Sequence, residues 1–438
     1  MATSTFLFLS LLLCSAVAVD HCSPSTDDPT RISVIPIYSK CSPISPPPPP
    51  SSSHFDTVNR LAANDHARLA SLAEGDVPIA AGQKLFNVGN YVVRVSLGNP
   101  NQTFAMVLDI SNDVTFVPCS RCSGDCSAAN PNAAFFSPNA SGSYWSVDCP
   151  SDLCSLVPNG GGHTCAAGKC RYKQSYGGDS RFAANLGTDW LAIGGRYIPG
   201  FAFGCVASVS GGSVPAQGLL GFGRGPLSFL GQTEPAYSGV FSYCLPSFRS
   251  SSFSGSLRLG PKDQPGFTST TTLLRNPRRP SLYYVNLTGV SVGPVKVPIR
   301  SDSLAFDPRN GAGTIIDSGT MITRFVGPVY AAIRKAFRKQ VKGPFSSLGA
   351  FDTCFPANGQ EAEAPSFTFH FEELDLVLAV ENTLIRSSGR PLACLSVAAA
   401  PNNVNSVLNV IANLQQENLR ILFDVKNSVV GFAGEVCN

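Results

Sequence analysis

From Asn90 onward the chain reads as short alternations of apolar and polar residues, separated by clusters of Gly, Pro, Asn and Ser. Successive side chains of a strand point to opposite faces, so such period-two runs predict half-buried β-strands. The first covers Tyr91–Leu97; Gly98, Asn99 and Pro100 turn the chain, and residues Thr103–Asp109 return as a second strand. Further runs predict strands over Phe201–Gly204, Ser256–Leu259 and Tyr283–Val292. Helical spacing is rare. Val329, Ala332, Ile333, Ala336, Phe337 and Val341 recur at three- and four-residue intervals, which predicts one amphipathic helix over Pro328–Lys342. Arg334, Lys335, Arg338 and Lys339 would form its solvated face.

Before Asn90 the pattern changes. Phe6–Val19 is apolar, too short to span a bilayer comfortably, and carries the small residues Ala16 and Ala18 around Val17. Residues 1–18 therefore read as a signal peptide, although no basic residue precedes the apolar stretch. Ser45–Ser53 is a proline run that stays extended, and Asp56–Leu72 places Val58, Leu61, Ala62, Leu69 and Leu72 at helical spacing. Residues 19–80 are expected to be a removable propeptide, cleaved between Val77 and Gly82.

A coarse repeat organises the remainder. Apolar Val107 and Leu108 lead into Asp109, Ile110, Ser111 and Asn112; apolar Ile315 and Ile316 lead into Asp317, Ser318, Gly319 and Thr320. Each aspartate is followed, roughly one lobe-half later, by an apolar segment of small residues: Gly218–Gly221 in the first half and Val410–Ala412 in the second. The expectation is an all-β fold of two lobes, with one aspartate from each at the cleft between them. Two carboxylates facing each other share one proton and can activate a water.

Composition narrows the setting. With 438 residues, 43% apolar and only 14% charged, the chain has material for large cores and fewer charges than the usual ~25%. The net charge of +3 is scattered, with no basic-aromatic run of the kind that binds nucleic acid. Of 15 cysteines, Cys14, Cys22 and Cys41 precede the expected mature start. The others form an even set suited to disulfides in an oxidising compartment: Cys119, Cys122, Cys126, Cys149, Cys154, Cys165, Cys170, Cys205, Cys244, Cys354, Cys394 and Cys437. Cys119, Cys122 and Cys126 have a zinc-like spacing, which a secreted chain makes the lesser reading. Asn101, Asn139 and Asn286 begin glycosylation sequons. The glycines between Gly221 and Gly225 lack the Lys-Ser/Thr of a phosphate loop.

Together the two aspartate turns, Gly218–Gly225, Tyr176 to Asp179, the cysteine cluster and Leu422–Phe432 resemble the pepsin-type aspartic proteases, in particular the plant nepenthesin-like group, over Asn90–Cys437. The resemblance implies a pepsin-like bilobal fold with an N-terminal lobe over 81–270, including a Cys-rich insertion, and a C-terminal lobe over 271–438. It implies a secreted acid endopeptidase of the plant apoplast or cell wall, with Asp109 and Asp317 as catalytic dyad. Tyr176 and Gly177 on a flap, with Gly319 and Thr320, would contact a protein or peptide substrate in the cleft. No metal or organic cofactor is expected, no nucleic-acid or membrane partner after signal cleavage, and the chain should be a monomer. By resemblance Cys354 pairs with Cys394 and Cys244 with Cys437. A binding protein like the glycosidase-inhibitor or lectin-like relatives of pepsin is the alternative.

The first turn departs from the family's usual Asp-Thr-Gly-Ser. Ile110 lacks the hydroxyl that braces the two aspartate loops, whereas Ser318 can supply the other half of that brace. Ser111 stands for a glycine and is expected to crowd the approach of its amide to Asp109. The Asn112 amide can still donate to Asp109. Phe116 replaces a tryptophan that would bond the flap tyrosine, and Ala412 replaces a glycine.

Overall fold

Strand Tyr91–Leu97 pairs antiparallel with Gln102–Asp109, Val92 opposite Val107 and Leu97 opposite Gln102. This is the first hairpin in the computed structural model, which describes residues 31–36, 91–126, 134–158, 162–176, 180–212, 214–216, 218–247, 255–267, 269–357, 364–387, 391–401 and 406–437. The stretch 1–18 read as a signal peptide, most of the stretch 19–80 read as a propeptide, including its proline run and the helical spacing over 56–72, and Gly177 lie outside the described residues. Gly98 turns the hairpin at φ 90°, and a Cβ there would stand 3.0 Å from the Ser141 hydroxyl.

The repeat read from the sequence is a repeat of topology. Leu219–Gly221 runs parallel to the end of the first aspartate strand, Gly221 beside Asp109. Leu408–Ile411 runs parallel to Gly313–Ile316, Ile411 beside Ile316. Each aspartate therefore lies at the C-terminal edge of a buried strand that has a parallel neighbour. Consecutive residues of both strands are buried, so both of their faces pack inside the protein.

Strands from both halves join in a shared sheet. Val240–Cys244 pairs with Gly255–Leu259 on one side and with Leu419–Asp424 on the other, and Leu419–Asp424 pairs with Val429–Gly434. Two smaller four-stranded sheets lie in the second half, one of them containing Leu287–Val292 and Phe367–Phe371.

Three expectations change in detail. The single strand Tyr283–Val292 is two strands, Tyr283–Val285 and Leu287–Val292, that belong to different sheets and meet at Asn286. Alternation continues through the corner, so periodicity alone does not reveal it. The helix spans Gly327–Arg338, starting one residue early and ending before Lys342, and it also buries Tyr330. Its basic face divides: Lys335 and Lys339 are exposed, while the Arg334 guanidinium sits 2.5 Å from Asp352, which Arg338 also approaches. Within the stretch expected to be a propeptide, Arg31–Pro36 forms a strand between Tyr91–Leu97 and Gly255–Leu259, with Val34 fully buried. The alternation of Ile32, Val34 and Pro36 with polar Arg31 and Ser33 is its signal in the sequence.

Disulfides join Cys119 to Cys205, Cys122 to Cys126, Cys149 to Cys165, Cys154 to Cys170, Cys244 to Cys437 and Cys354 to Cys394. The Cys149 and Cys154 links hold the Cys-rich insertion to the hairpin strand Lys169–Ser175 and its neighbour His163–Ala166. No described helix is long and apolar enough to cross a membrane.

Candidate active site

The Asp109 carbonyl accepts the Phe222 N–H at 2.8 Å, which anchors the residue to the parallel neighbour strand. Its side chain is fully buried and collects three donors. Oδ1 accepts the Ser111 N–H and the Ser111 hydroxyl, each at 2.8 Å, and Oδ2 accepts the Asn112 side-chain amide at 2.8 Å. Donors converging on a carboxylate stabilise its negative charge. The crowding expected from Ser111 is absent: the amide keeps its approach, and the added side chain becomes another donor. Ser111 does not adopt a positive φ. Ile110 is fully buried in the apolar core of the first lobe, so its side chain contributes packing where the family usually has a hydroxyl.

Asp317 repeats the arrangement. Its N–H donates to the Ile411 carbonyl at 3.1 Å. Oδ1 accepts the Gly319 N–H at 3.2 Å, and Oδ2 accepts the Thr320 hydroxyl at 2.5 Å. In both turns, then, the amide two residues on and the side chain three residues on hold the carboxyl. The two loops touch, because the Ser318 hydroxyl reaches the Leu108 carbonyl at 3.4 Å. That is the half of the inter-loop brace expected to survive.

Each loop also has its own scaffold. The Thr115 hydroxyl accepts the Gly221 N–H at 3.2 Å, and the Thr323 hydroxyl accepts the Ala412 N–H at 2.9 Å. A Cβ on Gly221 would lie 2.7 Å from the Asn112 carbonyl, so glycine is required there, whereas the methyl of Ala412 is accommodated at full burial. The backbone task assigned to a glycine at 412 is unaffected by alanine. Asn413 donates to the Ser318 carbonyl at 2.8 Å, and Gln416 donates to the Asp317 carbonyl at 3.1 Å. Sequence reasoning passed over both, since nothing marks a polar residue near the second apolar segment as belonging to an aspartate turn 95 or more positions earlier.

Asp113 was also missed. Its carboxylate accepts the Gly225 N–H at 2.8 Å and the Ser281 hydroxyl at 2.5 Å. A Cβ on Gly223 or Gly225 would come within 2.4 Å of that carboxyl, which accounts for the glycine-rich run without a phosphate. Burial pushes the Asp113 carboxyl above its ordinary range, against the hydrogen bonds from Ser281 and Gly225 that pull it down. The folded state therefore holds this proton more tightly than the unfolded chain. Its contribution to stability is complete below the ordinary carboxylate range and is lost as pH rises through the raised folded value. Asp113→Asn, which cannot ionise, should flatten that part of the stability profile. Thermal unfolding followed from pH 3 to pH 7 checks it, and an unchanged slope would reject the assignment.

Over the first loop lies the hairpin formed by Lys169–Ser175 and Arg181–Ile193. Tyr176, just past the first strand, is buried, and its ring meets Phe116 edge-on at 6.1 Å and 83°. Phe116 also packs on Phe182 at 4.5 Å, so the aromatic contact holds the hairpin down although phenylalanine has no donor. Gln174 Nε2 donates to Asn112 Oδ1 at 3.0 Å and ties the same hairpin to the aspartate turn. Gln174 was not singled out from the sequence. Its only signal was a polar side chain at the inward parity between Tyr172 and Tyr176.

Two family models match, described as xylanase inhibitor N-terminal over residues 91–261 and xylanase inhibitor C-terminal over residues 282–434. The chain is 53% identical to Aspartyl protease AED3 of Arabidopsis thaliana, covering 99% of this chain and 98% of the relative. It is 34% identical to Aspartic proteinase nepenthesin-1 of Nepenthes gracilis, covering 80% and 78% respectively. Among solved structures, conglutin gamma, a basic 7S globulin from lupine seeds, superposes with a TM-score of 0.62 at 18% identity, covering 80% of this chain and 93% of its own, a likeness of fold. Two β-lobes, a repeated aspartate turn and these matches place the chain in the plant pepsin-like aspartic protease family.

Proposed function

We propose that the protein is a secreted aspartic endopeptidase of the plant apoplast or cell wall, acting at acid pH with Asp109 and Asp317 as its dyad. The observation that carries this reading is the matched pair of turns, each holding a buried carboxyl through the amide two residues on and the side chain three residues on. In the reaction, the ionised carboxylate takes a proton from a water between the pair, and the hydroxide oxygen bonds to the scissile carbonyl carbon. The other carboxyl gives its proton to the carbonyl oxygen. Collapse of the resulting diol breaks the C–N bond, with a proton passing to the leaving nitrogen. The mechanism needs one carboxyl ionised and the other protonated, which is the basis for proposing activity at acid pH. Tyr176 and Gly177 would close over the peptide, with Gly319 and Thr320 lining the second turn. A flap of this kind shields the reaction from water.

The test is peptide cleavage by the acidified proprotein between about pH 3 and 6, with and without pepstatin. Cleavage that pepstatin blocks supports the reading. A folded protein that cleaves nothing but captures a glycosidase would instead support the binding-protein alternative, which the xylanase-inhibitor description of the matching models keeps in view. The N-terminal segments are read as a signal over 1–18 and a propeptide over 19–80, with Asn101, Asn139 and Asn286 glycosylated and the mature chain monomeric. N-terminal sequencing of secreted protein should start between Val77 and Gly82. A start near Val19 would mean that the strand Arg31–Pro36 stays covalently part of the enzyme.

A further inference from the structure

The hairpin strand Lys169–Ser175 alternates outward Arg171, Lys173 and Ser175 with inward Cys170 and Tyr172, and buried Tyr176 follows just past its end. Gln174 occupies an inward position among these apolar side chains, where a polar group needs a partner. Its partner is the Asn112 amide, and the geometry has a chemical consequence. An asparagine amide has one end that accepts and one that donates. With Gln174 Nε2 donating to Asn112 Oδ1 at 3.0 Å, the donor end faces Asp109 Oδ2 at 2.8 Å. Rotated by half a turn, the same amide would present its oxygen lone pairs to the carboxylate and repel it. The second site has no such ambiguity, because the Thr320 hydroxyl that bonds Asp317 Oδ2 is itself a donor.

We propose that Gln174 is a positioning residue that buttresses the Asn112 amide, whose N–H the Asp109 carboxylate itself orients, by holding its oxygen end in place, coupling the position of the hairpin to the donor set of one catalytic carboxyl. This rests on the aspartic endopeptidase reading. Because Gln174 lies two residues before Tyr176, a hairpin that lifts away breaks the Gln174–Asn112 bond and leaves the amide held at its donor end alone. Closure of the hairpin restores it. A recess of about 620 Å³ opens at the hairpin, lined in part by Lys173, Gln174, Ser175 and Arg181, so the backing of the strand there is incomplete.

The variant Gln174→Met keeps the side-chain volume and removes the donor. Loss of an oriented hydrogen bond to a charged group predicts a fall in kcat of roughly 10- to 100-fold, with KM within about twofold. The decisive comparison repeats the substitution in an Asn112→Ser background, where the hydroxyl donates to Asp109 as Thr320 does to Asp317 and there is no amide oxygen for Gln174 to hold. There Gln174→Met should change kcat by less than about twofold. A merely structural role for Gln174 in flap packing predicts the same loss in both backgrounds, and that result overturns the proposal. So does a raised KM at unchanged kcat. A second measurement does not require turnover. In ¹⁵N-labelled full-length protein the Asn112 side-chain amide protons should be shifted and protected from exchange, and Gln174→Met should abolish both. Unchanged resonances would reject the relay, whereas a folded protein with an intact relay and no cleavage would reject only the enzyme reading.

Discussion

In the acid cleavage assay, Asp317→Ala and Asp109→Ala each lower kcat by on the order of 10⁴-fold or more, and the double variant falls little further. In the proposed mechanism both carboxyls take part in the same proton movements, so removing either one would stop water activation, and a second removal would have almost nothing left to take away. The folded structure should survive, since both sites stand on strands whose hydrogen bonds are between backbone groups: Gly221 beside Asp109 and Ile411 beside Ile316. Far-UV and near-UV circular dichroism should match the parent for each variant. An Asp109→Ala variant that retains more than about a tenth of the activity would show that the first turn does not carry out the reaction. The second turn would then act in some other chemistry, and the paired-carboxyl mechanism would be rejected.

Arg420→Met should be the most destabilising substitution in the shared sheet. The guanidinium is fully buried on Leu419–Asp424 and donates to the hydroxyls of Ser242, at 3.0 Å, and Ser256. It also forms a two-point pair with Glu435, one contact measuring 2.8 Å. One side chain therefore joins two first-half strands to the C-terminal segment. Removing one partner of a buried ion pair leaves the other in a poorly solvated place and costs roughly 3–5 kcal/mol. Glu435 is about one-third exposed, which favours the lower end of that range. Equilibrium urea unfolding would show the loss as a lower midpoint at unchanged slope. Adding Glu435→Gln should recover part of it, because the uncompensated charge is then gone. A midpoint within the error of the parent would mean that this pair contributes no net stability.

Much of the fold was legible because it rests on alternation. Tyr91–Leu97 was located to the residue, and the strand ending at Asp109 to within one position at its start. The aspartate turns were visible because short polar motifs at the ends of apolar runs stand out locally. The strand Arg31–Pro36 was not identified, because it lies in a segment whose other signals pointed to removal. The corner at Asn286 was hidden because a strand can change sheets without breaking its alternation.

By itself, the sequence determined which residues turn inward, where the carboxyls lie along the chain, and that the cysteines form an even set. Those properties follow from local geometry, since a strand's period is fixed by its backbone. Partners were another matter. Gln174 meets Asn112 across 62 positions, Ser281 meets Asp113 across 168, and Ser318 reaches Leu108 across 210. Period two says which face a side chain takes, but which strand lies opposite that face is settled only when the lobes close. The roles of Ser111 and Asn112 were decided in the same way. A serine in place of glycine reads as a clash until the folded turn shows its hydroxyl aimed at the Asp109 carboxyl, and an amide reads as a donor or an acceptor until the fold sets it against that carboxyl with its N–H forward.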